Sequence, residues 1–432
     1  MASAAALRTA LLLAACCMAL GFGPAWYSCD PNKCKAPECV CASDSAPGAL
    51  APEDVPQFII LTHDDAITAA TDANMRAVIT NHKNKNGCNM PATFFVLKQD
   101  TDCELARKFY DENSELAIHS TTHVPLRDPF PGGTAALEAE MFGARDFLNQ
   151  TCGIPLEDLV GFRTPLLAHN PPVRAALSKA GFLYDSSIPE VWPGATSPNA
   201  TARLWPYSME YGIPQDCAYF EGSRCDESER YPGLWQFPLL ELEQDGGQLV
   251  AVMDPGQQAE GGLGYGANVT GGLSADALEE LLRTNFDFSY NGNRAPFGLY
   301  IHTPWFNKDT IEGTNRFLEY ALQLEGVYAV TARQVIEWMQ DPVPISQMDD
   351  WLQCKQVNVT VVESLAGKKC QVHTVKSGET GGVVAGIYAV SLGDLAAVNP
   401  GTDLNVLAVG DTLNIPPWDA SCQKPGSSKT DS

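Results

Sequence analysis

What most constrains the fold of this chain is an alternation. Short apolar runs and helix-like stretches succeed one another for about 300 residues from Gln57 onward, which argues for an α/β fold with a mainly parallel sheet, open or closed into a barrel. The strand-like runs are Gln57–Leu61, Ala92–Leu97, Leu116–Ile118, Leu299–Ile301 and Tyr328–Val330. Helical spacing covers Ala70–His82, Cys103–Asn113, Ala135–Asn149, Pro172–Ala180, Arg316–Leu324 and Ala332–Met339. Two long Gly-, Pro- and Ser-rich insertions, Thr196–Pro232 and Asp254–Gly272, are expected to lie over the functional face of such a fold.

The first 25 residues read as a signal peptide. Arg8 is their only charge, an apolar stretch runs from Ala10 to Leu20, and Gly23 and Ala25 form a small-x-small site before Trp26. A competing reading takes Leu13-Ala14-Ala15-Cys16 as a lipoprotein box with an acylated Cys16. No later segment is long and apolar enough for a membrane span. Of the 14 cysteines, 12 follow the leader, an even number that favours disulfides in an exported chain. Asn149, Asn199, Asn268 and Asn358 each begin an N-x-Thr sequon. Together these features fit a eukaryotic secretory route to an extracellular, cell-wall or matrix location. The net charge of -24 argues against nucleic acid as partner, because Lys and Arg are too few to neutralise phosphates. A neutral polymer is compatible with it.

The expected organisation is a leader over 1–25, a cysteine cluster over 26–42, a linker over 43–56, the α/β domain over 57–342, a second linker over 343–369, and a small unit over 370–422 enclosed by Cys370 and Cys422.

The chemistry sits where apolar runs end. Asp64 and Asp65 close the first strand. In regular strand they would point to opposite faces, but at a frayed C-terminal end both can reach one site. His119 and His123 follow another short strand and would face the same way if that stretch made a helical turn. Neutral imidazoles with a carboxylate suit zinc or a similar divalent ion, with a position left open for water. Arg163 precedes a proline turn, and His302 ends a late strand.

In order, Thr62-His63-Asp64-Asp65, His119-Ser120-Thr121-Thr122-His123, Arg163-Thr164-Pro165 and Leu299-Tyr300-Ile301-His302 resemble the blocks of the polysaccharide deacetylase (NodB-homology) family, most closely animal-type chitin deacetylases. Tyr184-Asp185-Ser186-Ser187-Ile188, Pro232-Gly233-Leu234-Trp235 and Cys34-Lys35-Ala36-Pro37-Glu38-Cys39-Val40-Cys41 add to the likeness. The resemblance implies a distorted (β/α) barrel. It implies a divalent metal, Zn2+ or alternatively Co2+, on Asp65, His119 and His123. Asp64 would be the general base, His302 the general acid, and Arg163 the group orienting Asp64. Asp185 would orient a partner. The backbone N–H of Leu166 would face the oxyanion, and Leu299 and Trp235 would wall the acetyl methyl. One position departs from the family: His63 stands where a Phe is usual. It would pack and hydrogen-bond behind the strand, repel the metal when protonated, or offer an extra ligand, and it leads to the expectation that activity falls below about pH 6.5.

Residues 372–417 resemble a LysM domain, a small α+β (βααβ) module that binds polymers of N-acetylglucosamine. Ser377, Gly378, Glu379 and Thr380, with Asn399, Pro400 and Gly401, match its sugar-binding loops. Joined to a deacetylase, such a module would tether substrate. The expected reaction is hydrolysis of chitin to chitosan and acetate. The alternatives are the same chemistry on peptidoglycan or acetylxylan, and a non-catalytic chitin-binding wall or matrix protein.

Overall fold

The computed structural model describes residues 24–422 except 25, 49, 191–202, 219–221, 245–247, 250–251, 256–271, 355–368, 376–383, 386–387, 389, 391, 403, 405–406, 408–409 and 419–421. Nearly all of the leader, the sequons at Asn199, Asn268 and Asn358, most of the second insertion and the turn at Ser377–Thr380 therefore lie outside the described residues.

The organising element is β1 (Gln57–Asp65), which is buried along nearly its whole length. A strand covered on both faces is expected to read as a continuous apolar run, and β1 does so until Thr62. It pairs in parallel with β10 (Phe297–Ile301), β11 (Val327–Ala329) and β2 (Thr93–Val96). The sheet continues in parallel through β3 (Glu115–Ile118), β4 (Gly161–Phe162), β5 (Tyr184–Asp185) and β7 (Trp235–Gln236), and ends at the antiparallel edge strand β6 (Tyr207–Ser208). A separate hairpin joins β8 (Glu243–Gln244) to β9 (Gln248–Leu249). No described strand pairs β7 with β10. Irregular backbone spans that gap instead: Leu240 N–H donates to the Tyr300 hydroxyl (3.1 Å), and Asp254 N–H to the Tyr300 carbonyl (2.9 Å). The result is a (β/α) barrel left open between its two ends.

The helices are α1 (Ala69–Ile79), α2 (Cys103–Asp111), α3 (Gly133–Gln150), α4 (Pro171–Lys179), α5 (Ala275–Asn291), α6 (Lys308–Ala321) and α7 (Ala332–Gln340). Strand alternation sorts the core into two layers. Ile59, Leu61, Phe94, Val96, Phe297, Leu299 and Ile301 pack outward against Met75, Leu282, Phe286 and Phe317 of the helices. Phe58, Ile60, Phe95, Tyr184, Trp205 and Trp235 line the inner face, and α7 fills it with Val335, Ile336, Trp338 and Met339. Among the described residues no helix is long and apolar enough to cross a membrane.

The flanking segments differ from expectation. The leading cysteine cluster, closed by Cys29–Cys41 and Cys34–Cys39, packs on the barrel. Ser208 N–H donates to the Val40 carbonyl (3.0 Å), and Val40 N–H to the Ser208 hydroxyl (3.1 Å), which covers the β6 edge. Residues 343–354, read as linker, belong to the barrel. Met348 and Leu352 are buried in the inner cluster, and Cys354 is bonded to Cys88. The expected helix from Arg316 starts eight residues earlier, at Lys308, where Asn307 and Thr310 form a reciprocal cap. In the C-terminal unit, β12 (Gln371–Thr374) and β13 (Thr412–Ile415) pair antiparallel, and Leu392–Ala397 is helical.

Trp338 is fully buried, packs edge-on to Phe58 and stacks on Trp205, and its Nε1–H donates to the Val343 carbonyl (2.9 Å). Trp338→Ala should therefore cost about 3–5 kcal/mol of unfolding free energy, measured by urea denaturation. A loss under about 1 kcal/mol would mean that α7 is not part of the core.

Candidate active site

The site is built at the C-terminal ends of β1, β3, β4 and β10. Thr62 and Asp64 share the inner face of β1. Asp65 follows with φ 84°, a left-handed turn that Asp tolerates better than most non-glycine residues, and this turn carries its carboxylate to the same mouth as Asp64.

His119 and His123 do converge, but not through a helical turn. Residues 119–123 form an irregular loop in which Ser120 (φ 75°) and His123 (φ 65°) take left-handed conformations. Glu140 of α3 holds the loop, accepting from the Thr121 and Thr122 amides at 3.2 and 2.7 Å and from the Thr122 hydroxyl at 3.1 Å. Gly143, on the same helix, makes the close approach possible, since a Cβ there would collide with the Thr121 hydroxyl.

His119 lies against the Arg163 carbonyl, with Nδ1···O at 2.9 Å. A carbonyl only accepts, so Nδ1 carries the proton and Nε2 presents a lone pair. Burial holds the His119 pKa down at about 3, against the upward pull of Asp65. Its Nε2 faces Asp64 Oδ2 at 3.8 Å and Asp65 Oδ1 at 3.9 Å, while His123 Nε2 lies 3.3 Å from Asp65 Oδ1. His119 Nε2, His123 Nε2 and Asp64 Oδ2 are buried with no hydrogen-bond partner. The His119 lone pair aimed at two carboxylates is repulsive unless a cation lies between them. Donor atoms of Asp65, His119 and His123 all lie within 4.8 Å of one another, a spacing suited to atoms each about 2.0–2.2 Å from one shared ion. The donor set therefore fits a divalent metal. Two other clusters do not fit. Cys29 and Cys41, and Cys217 and Cys225, are consumed as disulfides. His169 accepts at Nδ1 from Arg174 (2.9 Å), which places its proton on Nε2 and leaves no lone pair on the ring.

Arg163 is fully buried, as is Asp64. Its Nη1 donates to Asp64 Oδ1 (2.5 Å) and to the Thr62 hydroxyl (3.0 Å), its Nε to the Ser186 carbonyl (2.8 Å), and its Nη2 to the Ser186 hydroxyl (3.0 Å). The guanidinium lies over Phe95, 3.8 Å from the ring centroid. Asp185 accepts from the Ser187 hydroxyl, which in turn accepts from Thr164 N–H (2.9 Å). It thus braces the Arg163-Thr164-Pro165 turn from below. Burial raises the Asp185 pKa to about 6.

Beyond Pro165, Leu166 (φ 55°) and Leu167 (φ 51°) form a left-handed turn, a costly conformation that persists only when its surroundings enforce it. The first insertion does so: Ser223 donates to the Leu167 carbonyl (3.1 Å) and accepts from His169 N–H (3.3 Å). The insertion is itself clamped by Cys217–Cys225 and by the buried Arg174–Glu229 pair (2.8 Å).

His302 meets a partner that sequence reading missed. Asp254 accepts from His302 N–H at Oδ1 and from its Nδ1 at Oδ2, both at 2.8 Å. Burial alone would push the imidazole down, but the Asp254 carboxylate, with Asp64 and Asp65 behind it, outweighs it and raises the pKa to about 9. The available signal was an acidic residue opening an insertion already expected over the functional face.

Two expected residues are placed differently. Leu299 packs in the outer cluster with Leu61 and the helices, so it does not face the site. The period-two alternation of β10 puts Tyr300 inward instead, 5.2 Å from the Arg163 guanidinium. His63 is likewise on the outer face. It is fully buried, 2.9 Å from the Thr303 hydroxyl, and burial with His302 and His119 nearby lowers its pKa to about 3. It offers no ligand to the mouth, and its lowered pKa argues against the expected acid limb near pH 6.5. Trp235 is buried in the inner cluster. In the C-terminal unit, the Asn399 side chain is spent internally, donating to the Leu395 and Asn414 carbonyls and accepting from Asn414 N–H, each at 2.8 Å. Pro400 and Gly401 are exposed.

Asp254→Asn removes the largest attraction holding His302 protonated. In metal-stripped protein, the NMR titration midpoint of His302 should fall from about 9 by more than one unit. A raised histidine contributes stability that is full below the unfolded value of 6.5 and is lost as pH rises through about 9. The stability gap between the two proteins should therefore be widest below pH 6.5 and close above pH 9. A gap independent of pH would refute the pairing.

Comparison with known proteins gives a match to the polysaccharide deacetylase family over residues 52–184 and to the LysM domain over residues 373–416. Chitin deacetylase 8 of Bombyx mori is 29% identical over 332 residues, covering 76% of this chain and 81% of that protein. Chitin deacetylase 1 of Bombyx mori is 30% identical over 328 residues, which cover 74% of this chain and 58% of the relative's length.

Proposed function

We propose that this chain, which carries a polysaccharide deacetylase domain and a LysM domain, hydrolyses the N-acetyl groups of N-acetylglucosamine residues in chitin, giving chitosan and acetate. One observation carries the reading. A buried carboxylate held by Arg163 stands beside three converging metal donors, with an aspartate-paired histidine at the end of β10.

The metal would be held by Asp65, His119 and His123, and its family is metal-dependent; two imidazoles and one carboxylate suit Zn2+, with Co2+ compatible. Bound there, it supplies Lewis acidity that polarises the acetyl carbonyl and acidifies water. The chain's own residues do the rest. Asp64 takes a proton through Oδ2 as water oxygen bonds to the carbonyl carbon. Arg163 fixes Asp64 by occupying Oδ1, which leaves Oδ2 turned to the mouth. The Leu166 N–H would donate to the developing oxyanion. When the C–N bond breaks, the His302 imidazolium, oriented through Nδ1 by Asp254, gives its other ring proton to the amine. Without that proton the leaving group would be an amide anion. Acetate then departs, and the sugar keeps a free amino group. Asp185 positions this machinery through Ser187 and Thr164. Trp235 is the remaining candidate of the two for the wall of the acetyl pocket.

The LysM domain would hold the polymer near this mouth and raise its local concentration. Pro400 and Gly401 are the described members of its expected sugar-binding turns. The six disulfides and the leader-like N-terminus support secretion.

Asp64→Asn is nearly isosteric and keeps the metal donors. With zinc supplied, it should lower acetate release from chitin oligomers by roughly 100-fold or more. Equal release by wild type and variant would defeat the assignment. Parallel assays on peptidoglycan and acetylxylan test the substrate, and faster release from either would displace chitin.

A further inference from the structure

On the outer side of β1, a chain of hydrogen bonds closes into a ring through the backbone that carries Asp64 and Asp65. The Thr71 hydroxyl lies 2.9 Å from the Ala66 carbonyl, to which it must donate. Its single proton is then used, so the Thr303 hydroxyl, 3.0 Å away, donates to Thr71. Thr303 Oγ1 in turn accepts from His63 Nε2 at 2.9 Å. The ring thus runs His63, Thr303, Thr71, Ala66, and closes through the backbone of Asp64 and Asp65. Its direction is fixed at every step by the donors available. Thr303 directly follows His302 and opens the turn Thr303–Trp305, so the ring ties the acid-bearing turn to the strand bearing base and metal ligand.

The ring has a cost. His63 Nδ1 is buried with no hydrogen-bond partner, and an unpaired buried acceptor is unfavourable. A phenylalanine of similar shape would leave no such atom beside Phe94, whose ring centroid is 5.9 Å away. For packing alone, histidine is the worse choice at this position.

We propose that His63 is a positioning residue: by donating from Nε2 to Thr303 it fixes the His302 turn relative to Asp64 and Asp65. This rests on the hydrolase reading above. An N–H donor at this point, rather than an aromatic ring, sets the separation of acid and base during turnover. A proton-transfer geometry loosened by a fraction of an ångström loses rate while leaving polymer binding untouched.

The test uses the full-length protein with zinc supplied. His63→Phe should lower kcat roughly tenfold with KM, zinc dissociation constant and Tm unchanged. His63→Gln, whose Nε2 reaches the same point, should restore most of the loss. Thr303→Val should match His63→Phe, and the double variant should cost no more than either single one, because one ring is broken in each. Independently of activity, long-range 1H–15N NMR should show His63 as the Nε2–H tautomer. Wild-type kcat in His63→Phe, or no rescue by glutamine, overturns the proposal, as does an Nδ1–H tautomer. If His63→Phe does not fold, Thr303→Val and the tautomer decide. Should wild type release no acetate, the hydrolase reading fails, while the tautomer measurement still reports on the ring.

Discussion

The structure depends on a fully buried ion pair. Arg163 and Asp64 are removed from water at the centre of the barrel mouth. Burying two charges is expensive unless good geometry and further hydrogen bonds compensate. Here the compensation comes from elements far apart in sequence. Thr62 lies on β1, Ser186 follows β5, Phe95 lies on β2 and Tyr300 on β10. Four strands must therefore be in register before the pair is tolerable. Once they are, Asp64 Oδ1 is spent and only Oδ2 remains to face the metal donors. Fold and reactivity are coupled through one guanidinium.

Around that pair, two histidines of the same mouth are driven in opposite directions. His119 donates its only proton to a carbonyl and stays neutral to about pH 3, as a metal donor requires. His302 faces a carboxylate and holds its second proton to about pH 9, as the acid role proposed for it would require. Both are buried, so burial does not distinguish them. The difference lies chiefly in the group at Nδ1, a neutral carbonyl in one case and Asp254 in the other, with Asp64 and Asp65 adding to the pull on His302 and His123 and Arg163 opposing protonation of His119. Separating the proton affinities of chemically identical groups by their partners is how one site runs acid and base steps together.

Much of this was legible in the sequence. The parallel α/β architecture followed from alternating runs, and Asp65, His119 and His123 from polar residues at strand ends. What was misread has physical causes. The 119–123 spacing suggests a helical turn, yet two left-handed residues and Glu140 produce the convergence instead. Leu299 was chosen by its place in a block, whereas strand alternation gives the inward position to Tyr300. The helix α5 was not read at all, although Ser274 caps it and Leu278, Leu281, Leu282 and Phe286 fall on one buried face; its charged residues and its position behind a Gly-rich insertion masked the period. Asp254 was marked only by its place at the start of an insertion, and its pairing was hidden because its partner lies 48 residues away. No local pattern reports such a pair.

The insertions, which look least ordered in sequence, do the most to finish the site. An open barrel leaves strand ends and loops without neighbours on one side. The segment reaching Asp254 lies along β10 and delivers the partner of His302. The segment around Ser223 supports the left-handed Leu166–Leu167 turn, and it is held by a disulfide and by the Arg174–Glu229 pair, whose carboxylate also accepts from Tyr231 and from Asp226 N–H. A strained turn survives where its alternatives cost more than the strain. Releasing Leu167 would leave Ser223 and the His169 amide unpaired in a buried place. The barrel strands and the turns that end them supply Asp64, Asp65, His119, His123 and His302. The insertions supply what makes those groups hold still, and the division explains why the strands could be recognised by pattern while their supports had to be seen in space.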